Sequence, residues 1–489
     1  MSALLPDWVA HRALSAPDAI ALETATASLT YRQVERCVQA LASRLTGMGA
    51  LPGRRVGILA GNSIELAVAL HAVPRTAATL VPLNLRLTPA EIAWQLDHSR
   101  CQLLLTEGEA SSLAAEVVRL HEVPVVDLQG AADPPQPASA NGGLVDAHEP
   151  SAIHTIMYTS GTTGRPKGAL LTYGNLWASA AASAYNMGVL PGDRWLACLP
   201  LFHVGGLSIV VRSAIYGTTA VIHERFDEIA VNRALREEGV SLLSVVPTML
   251  QRMLDADTER YPATVRGVLV GGGPVSAHLL QRALDRGLPV LQTYGLTESA
   301  SQVATLAPAD ALSHVGSAGK PLVTTQVRID APAGEAGEIL VSGPTVTAGY
   351  LDDPEATVRA IRDGWLHTGD VGRFDDDGFL YVLDRRDDLI VTGGENVYPA
   401  EVEGALLLHP AIDGAAVVGI PDDRWGQTVG AALVVRAGFD ETVLRDWLAP
   451  RLASYKVPRQ IRVVDVLPVT ASGKVQRRVV RVWFERKSD

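Results

Sequence analysis

The stretch YTSGTTGRPKG, residues 158–168, places four aliphatic hydroxyls, three glycines and a lysine in eleven positions. It is too polar for a buried strand and too rich in glycine for a helix, so it reads as a loop. Glycines let a backbone approach an anion closely. Consecutive N–H groups and hydroxyls can then cradle phosphate oxygens while a lysine adds charge. Thr159, Ser160, Gly161, Thr162, Thr163, Gly164 and Lys167 suit those roles. The spacing departs from G-x-x-x-x-G-K-[ST], because Lys167 follows Pro166 and precedes Gly168. By composition alone the loop is either a phosphate site or an ordinary surface turn.

On either side of the loop, strand and helix patterns alternate. Before it come a helical face at 30–50 (Val34, Val38, Leu41, Leu45), a short apolar run at 55–60 and a helix at 64–73. Strand at 78–83, helix at 88–99 and strand at 101–106 follow. After it, 240–250, 267–273, a helix from Ser276 and 289–295 keep the same rhythm, which predicts βαβ units and largely parallel sheets. Residues 129–151, rich in Ala, Pro and Gly, read as a surface connection. At 325–383 the texture changes to short alternating runs broken by Gly and Asp, the pattern of an antiparallel sheet or small barrel. The charged string DRRDD, Asp384–Asp388, marks a boundary, beyond which a small α+β unit is expected.

The 489 residues exceed one compact core, and two or more domains are expected. With 47% hydrophobic and 19% charged residues the composition is globular, and the net charge of −11 argues against a nucleic-acid-coating role. The tail RRVVRVWFERK (477–487) clusters positive charge and reads as a solvated helix. Cys37, Cys101 and Cys198 lack metal or disulfide spacing and suggest reduced thiols of a cytoplasmic protein. Pro6 and Asp7 break any signal-peptide pattern, and the apolar stretch 195–211 is interrupted by Pro200, His203 and Gly205–Gly206. It reads as strand, turn and helix start, without membrane insertion.

Further stretches carry chemistry. GGGP (271–274) and QTYGLTES (292–299) combine turns open to a flat base with Tyr294, able to stack on it, and Glu298, a hard oxygen donor for Mg²⁺. GWLHTGD (364–370) ends in Asp370, a carboxylate able to accept from two vicinal hydroxyls. Arg385 is a planar donor for ribose or phosphate, and TASGKVQR (470–477) sets Lys474 after a Ser-Gly turn.

The order of these strings resembles that of the adenylate-forming superfamily, which includes acyl- and aryl-CoA synthetases, over nearly the whole chain. The resemblance implies an α/β fold. Residues 1–384 would form a large N-terminal domain of two βαβ-type subdomains plus a small β-barrel, and 385–489 a small mobile α+β C-terminal lid. It assigns ATP to the loop, to Gly272, Gly273, Pro274, Tyr294, Gly295 and Thr297, and to Asp370, Arg385 and Lys474. Mg²⁺ goes to Glu298 with Thr162, the hinge to Asp387, and the coenzyme A channel to Gly393 and Gly394. Lys474, Glu298, Thr163 and His203 form the implied catalytic set.

The wording of VPLNLRLTPAEIAWQL, PLFHVGGLSIVVR and DRRDDLIVTGGENVYPAEVE is most similar to the o-succinylbenzoate–CoA ligases of menaquinone biosynthesis, whose acid carries two carboxylates. His203 then lines or gates the acyl pocket, or is a satisfied core histidine. Arg212, in an apolar helical run, pairs with a protein carboxylate or with the substrate's second carboxylate. Thr293, Ser299, Ser301 and Gln302 would complete a polar network around it, and Gly205 stands where some relatives carry Ser. The implied partners are a small carboxylic acid, ATP and coenzyme A, with a homodimer compatible and nucleic acid excluded. Alternatives are another aryl- or medium-chain acyl-CoA ligase, or an adenylating protein that does not use coenzyme A.

Overall fold

The computed structural model describes residues 4–134, 144–159, 166–273, 275–385, 388, 390–392, 395–397, 399–422, 425–449, 451–452, 454–470 and 474–485. Among these residues the strands form one six-stranded sheet, one nine-stranded sheet, two five-stranded sheets and a two-stranded pair. The six-stranded sheet runs Lys167–Thr172, Ile153–Thr159, Thr79–Pro82, Arg55–Leu59, Leu103–Thr106, Val125–Asp127. It is parallel except for the hairpin of its first two strands. In the nine-stranded sheet, Val290–Leu296, Gly267–Val270, Leu242–Val245, Arg194–Ala197 and Thr219–Ile222 are parallel neighbours. Leu242–Val245 and Gly267–Val270 are buried throughout, as expected where helices cover both faces of a parallel sheet.

Chain order and subdomain order differ in one place. Ile20–Glu23 and Ser28–Thr30 precede every strand of the six-stranded sheet, yet join the far edge of the nine-stranded one, with Leu22 opposite Ala220. Helices Tyr31–Gly47 and Ile64–Arg75 therefore pack in an apolar core shared by both sheets. The predicted barrel region is a five-stranded antiparallel sheet, Gln326–Asp330, Gly337–Ser342, Trp365–Phe374, Ile361–Arg362 and Leu380–Arg385, around Ile339, Val341, Leu366 and Leu380. The other five-stranded sheet, from Ile390–Thr392 to Gln460–Val463, packs on helices Pro399–Leu407 and Glu441–Leu448. Among the described residues no helix is long and apolar enough to cross a membrane.

The tail departs from the sequence reading. Helix Arg477–Glu485 is not simply solvated, because Val480 is fully buried against Ala416, Val418 and Ala432. Arg477 holds Glu403 with two nitrogens, at 2.7 and 3.2 Å, and Asp388 with a third at 3.2 Å. Glu403 also accepts from the Val417 N–H at 2.8 Å and is buried. Removing one partner leaves a buried charge uncompensated, so Arg477→Ala should destabilise the C-terminal unit by about 3–5 kcal/mol. Thermal unfolding read at the tryptophans of that unit would measure it.

Candidate active site

The loop that opened the reading caps a hairpin. Thr159 and Lys167 face each other on the last rung between Ile153–Thr159 and Lys167–Thr172. Ser160, Gly161, Thr162, Thr163 and Gly164 lie outside the described residues. The Thr159 hydroxyl donates to the Glu298 carboxylate at 3.3 Å, and the Tyr350 hydroxyl donates to the same oxygen at 3.1 Å. Lys167 stands 5.2 Å over the Tyr350 ring. The hairpin rung and the predicted metal carboxylate thus meet, through a tyrosine that sequence reasoning missed.

Glu298 is presented by a tight turn, Thr297–Ser299, between strands Val290–Leu296 and Ser301–Leu306. A Cβ on Gly295 would overlap the Ser301 carbonyl oxygen, so only glycine allows this crossing. Ala300 and Ser301 take φ of +51° and +105°, a conformation costly for residues with side chains. Ser299 is committed to the turn, its hydroxyl serving the Leu296 N–H and carbonyl at 3.0 Å each.

Around the expected nucleotide groups, Gly271 and Gly273 flank Gly272, whose φ of +84° suits glycine. Pro274 is outside the described residues, as are Asp387, Gly393 and Gly394. Asp370 is buried and accepts the Tyr294 hydroxyl at 2.6 Å, so one carboxylate oxygen is oriented by the residue expected at the adenine. The strand register sets Arg385 directly opposite Asp370.

On the acyl side, His203 precedes helix Val204–Tyr216, and its buried Nε2 has no hydrogen-bond partner among the described residues. Burial, with the positive charges of Arg86 and Lys474, holds its pKa down to about 4. The charges of those two cations thus reach His203, and Arg86 was not foreseen. Gly206 has no room for a Cβ beside the Pro200 carbonyl, which lets the helix start close over that strand end.

Arg212 is 2% exposed, and among the described residues no acidic side chain pairs with it. Its Nη2 donates to Ser179 Oγ at 3.0 Å, its guanidinium lies 5.8 Å from the Trp195 ring, and its Nε has no partner among the described residues. Ser179 in turn donates to the Ala300 carbonyl at 2.6 Å, which joins the arginine to the Glu298 turn. Ser179 sits in WASAAASAY, where nothing but packing distinguishes it. Of the expected network, Thr293 donates to the Ala304 carbonyl at 2.9 Å and Gln302 reaches Thr305 at 3.3 Å, leaving Gln302 Oε1 unpartnered. Among the described residues, His203, Arg212 and Gln302 each carry a buried polar atom without a partner near this turn or helix.

Family models for the AMP-binding enzyme and its C-terminal domain match residues 9–351 and 401–474. The chain belongs to the AMP-binding enzyme family. Within it, the chain is similar to the 2-succinylbenzoate–CoA ligase of Bacillus licheniformis, 45% identical over 96% of this chain and 98% of that one. It is also similar to o-succinylbenzoate CoA synthetase from Bacillus subtilis in complex with the acyl-adenylate intermediate, with a TM-score of 0.90 at 38% identity over 100% and 99% of the chains. Against a doubly substituted form of that enzyme bound to a product analogue, the TM-score is 0.76 at 39% identity over 99% of each.

Two outcomes are expected. Gly295→Ala must open the Glu298 turn and should lower acid-dependent ATP–pyrophosphate exchange by about a hundredfold in folded protein. With its pKa depressed, His203 is neutral from about pH 6 to 8. The kcat/KM profile for the acid should therefore show no limb near pH 6.5, and a limb there that disappears in His203→Asn would contradict this.

Proposed function

We propose that the protein ligates o-succinylbenzoate to coenzyme A at the expense of ATP, through an acyl-adenylate, in menaquinone biosynthesis in the cytoplasm. The observation that carries the choice of acid is Arg212, a buried guanidinium held by a neutral hydroxyl, with no carboxylate paired to it among the described residues. Burial disfavours its charge, and a second carboxylate on the substrate would relieve that. An acid with one carboxylate would leave it uncompensated.

A carboxylate is a poor acyl donor until its oxygen carries a better leaving group. In the first half-reaction the ionised carboxylate attacks the α-phosphorus and pyrophosphate departs, so no general base is needed. Mg²⁺, when bound, would neutralise charge building on the phosphate oxygens. Glu298 fits it, since that ion takes one or two carboxylates plus substrate phosphates. Thr159 and Tyr350 orient the carboxylate for this. Lys474, whose charge already reaches His203, supplies a cation at the reacting carboxylate. Residues 159–164 hold the phosphates, with Thr163 in the catalytic set. Tyr294 and Gly272–Gly273 hold the adenine and Asp370 with Arg385 the ribose.

In the second half-reaction the thiol adds to the adenylate carbonyl and AMP leaves. We place the domain division at 384/385 and the hinge at Asp387. The lid swing removes Lys474 and brings Gly393 and Gly394 to the pantetheine channel. A homodimer is the assembly we carry forward, to be read by light scattering.

The test is coenzyme A-dependent conversion of ATP to AMP with o-succinylbenzoate, benzoate, 4-coumarate and octanoate. o-Succinylbenzoate should be preferred, and Arg212→Ala should raise its KM by about a hundredfold. Turnover of octanoate with none of o-succinylbenzoate would sink the choice of acid. AMP formation without coenzyme A as acceptor would sink the thioester step.

A further inference from the structure

Asp370 does not lie in a regular strand. In the antiparallel pair Gly337–Ser342 and Trp365–Phe374, Glu338 stands opposite Val371 and Leu340 opposite His367. Ile339 alone therefore faces three residues, Thr368, Gly369 and Asp370. Two extra residues bulge out of the ladder at the position that carries the carboxylate. Bulges re-aim side chains beside functional sites, but they leave backbone groups without ladder partners.

Three groups at the bulge have substitute partners. The Gly369 N–H donates to Glu338 Oε1 at 2.9 Å, the Asp370 N–H donates to Thr368 Oγ1 at 3.0 Å, and the Thr368 hydroxyl donates to the Ile339 carbonyl at 2.7 Å. The other Glu338 oxygen faces His367 Nδ1 at 3.0 Å, and Arg362 reaches that nitrogen at 2.7 Å. Gly369 has a φ of +72°, so the bulge turns through a conformation that suits glycine. The Glu338 side chain is 11% exposed, and its carboxylate grips both residues 367 and 369.

We infer that Glu338 is a positioning residue for nucleotide selection: it holds the 368–370 bulge open so that Asp370, steadied by Tyr294, meets the vicinal ribose hydroxyls. This rests on the reading of Asp370 as the ribose carboxylate. Without Glu338 the Gly369 N–H has no acceptor and the bulge can collapse toward the ladder, carrying Asp370 away from the sugar. The acid site and the Glu298 turn lie on other elements and keep their geometry.

The experiment compares ATP with 2′-deoxyATP in the full-length enzyme, using kcat/KM for AMP formation. Wild type should prefer ATP. Glu338→Ala should reduce that preference by about tenfold, mainly through KM for ATP, with KM for the acid unchanged within about twofold. Glu338→Gln keeps an acceptor for the Gly369 N–H and should restore wild-type preference. If Glu338→Ala does not fold, Glu338→Asp keeps the charge, shortens the reach by one methylene and is read the same way. A variant that loses activity on both nucleotides equally, with the ATP preference intact, overturns the inference while leaving Asp370 as ribose reader. A wild type that does not distinguish the two nucleotides overturns both.

Discussion

The carbonyl oxygen of Ser301 occupies the space that a Cβ on residue 295 would need. That close crossing forces the chain through left-handed φ at Ala300 and Ser301 and produces a turn with two working faces. One face presents Glu298 to Thr159 and Tyr350, beside the hairpin of Ile153–Thr159 and Lys167–Thr172. The other turns the Ala300 carbonyl to Ser179, and through it to Arg212. Backbone strain of this kind persists only where surrounding contacts over-determine it, and here two sheets and two helices do so.

The same economy governs the polar groups that the fold leaves buried. Ser179 has one proton, and it goes to Ala300, so the hydroxyl can only accept from Arg212. A carboxylate in its place would hold the arginine more firmly and neutralise it. A neutral acceptor orients the guanidinium while leaving its charge for another partner. His203 follows related logic: burial and two nearby cations keep it uncharged, so it offers a neutral imidazole edge rather than a further positive charge.

Much of this was legible in the sequence because the responsible residues are contiguous. The Gly-rich string at 158–168, the LTES string and the TGD string each contain their own turn chemistry, and alternating periodicity placed the strands around them. The resemblance to adenylate-forming enzymes ordered these pieces into one site. Ser179, Tyr350, Arg86 and Glu338 were not legible. Each is a common residue in an unremarkable local pattern, and its role depends on a neighbour distant in sequence, at separations set only when the sheets pack. The tail helix was misread for a similar reason, since the partners of Arg477 and Val480 lie on other strands of the C-terminal unit.

By itself the sequence determined the α/β class and, through the family resemblance, the candidate phosphate loop, carboxylates and lysine, because those patterns lie in contiguous strings with their own spacing and turn residues. Tertiary structure decided which polar groups lack partners among the described residues, that no acid there pairs with Arg212, that Asp370 rides on a buttressed bulge, and that the charge of Lys474 reaches His203. Those are properties of long-range packing: whether a buried charge is compensated depends on what the fold brings within a few ångströms, and no run of residues along the chain encodes that distance.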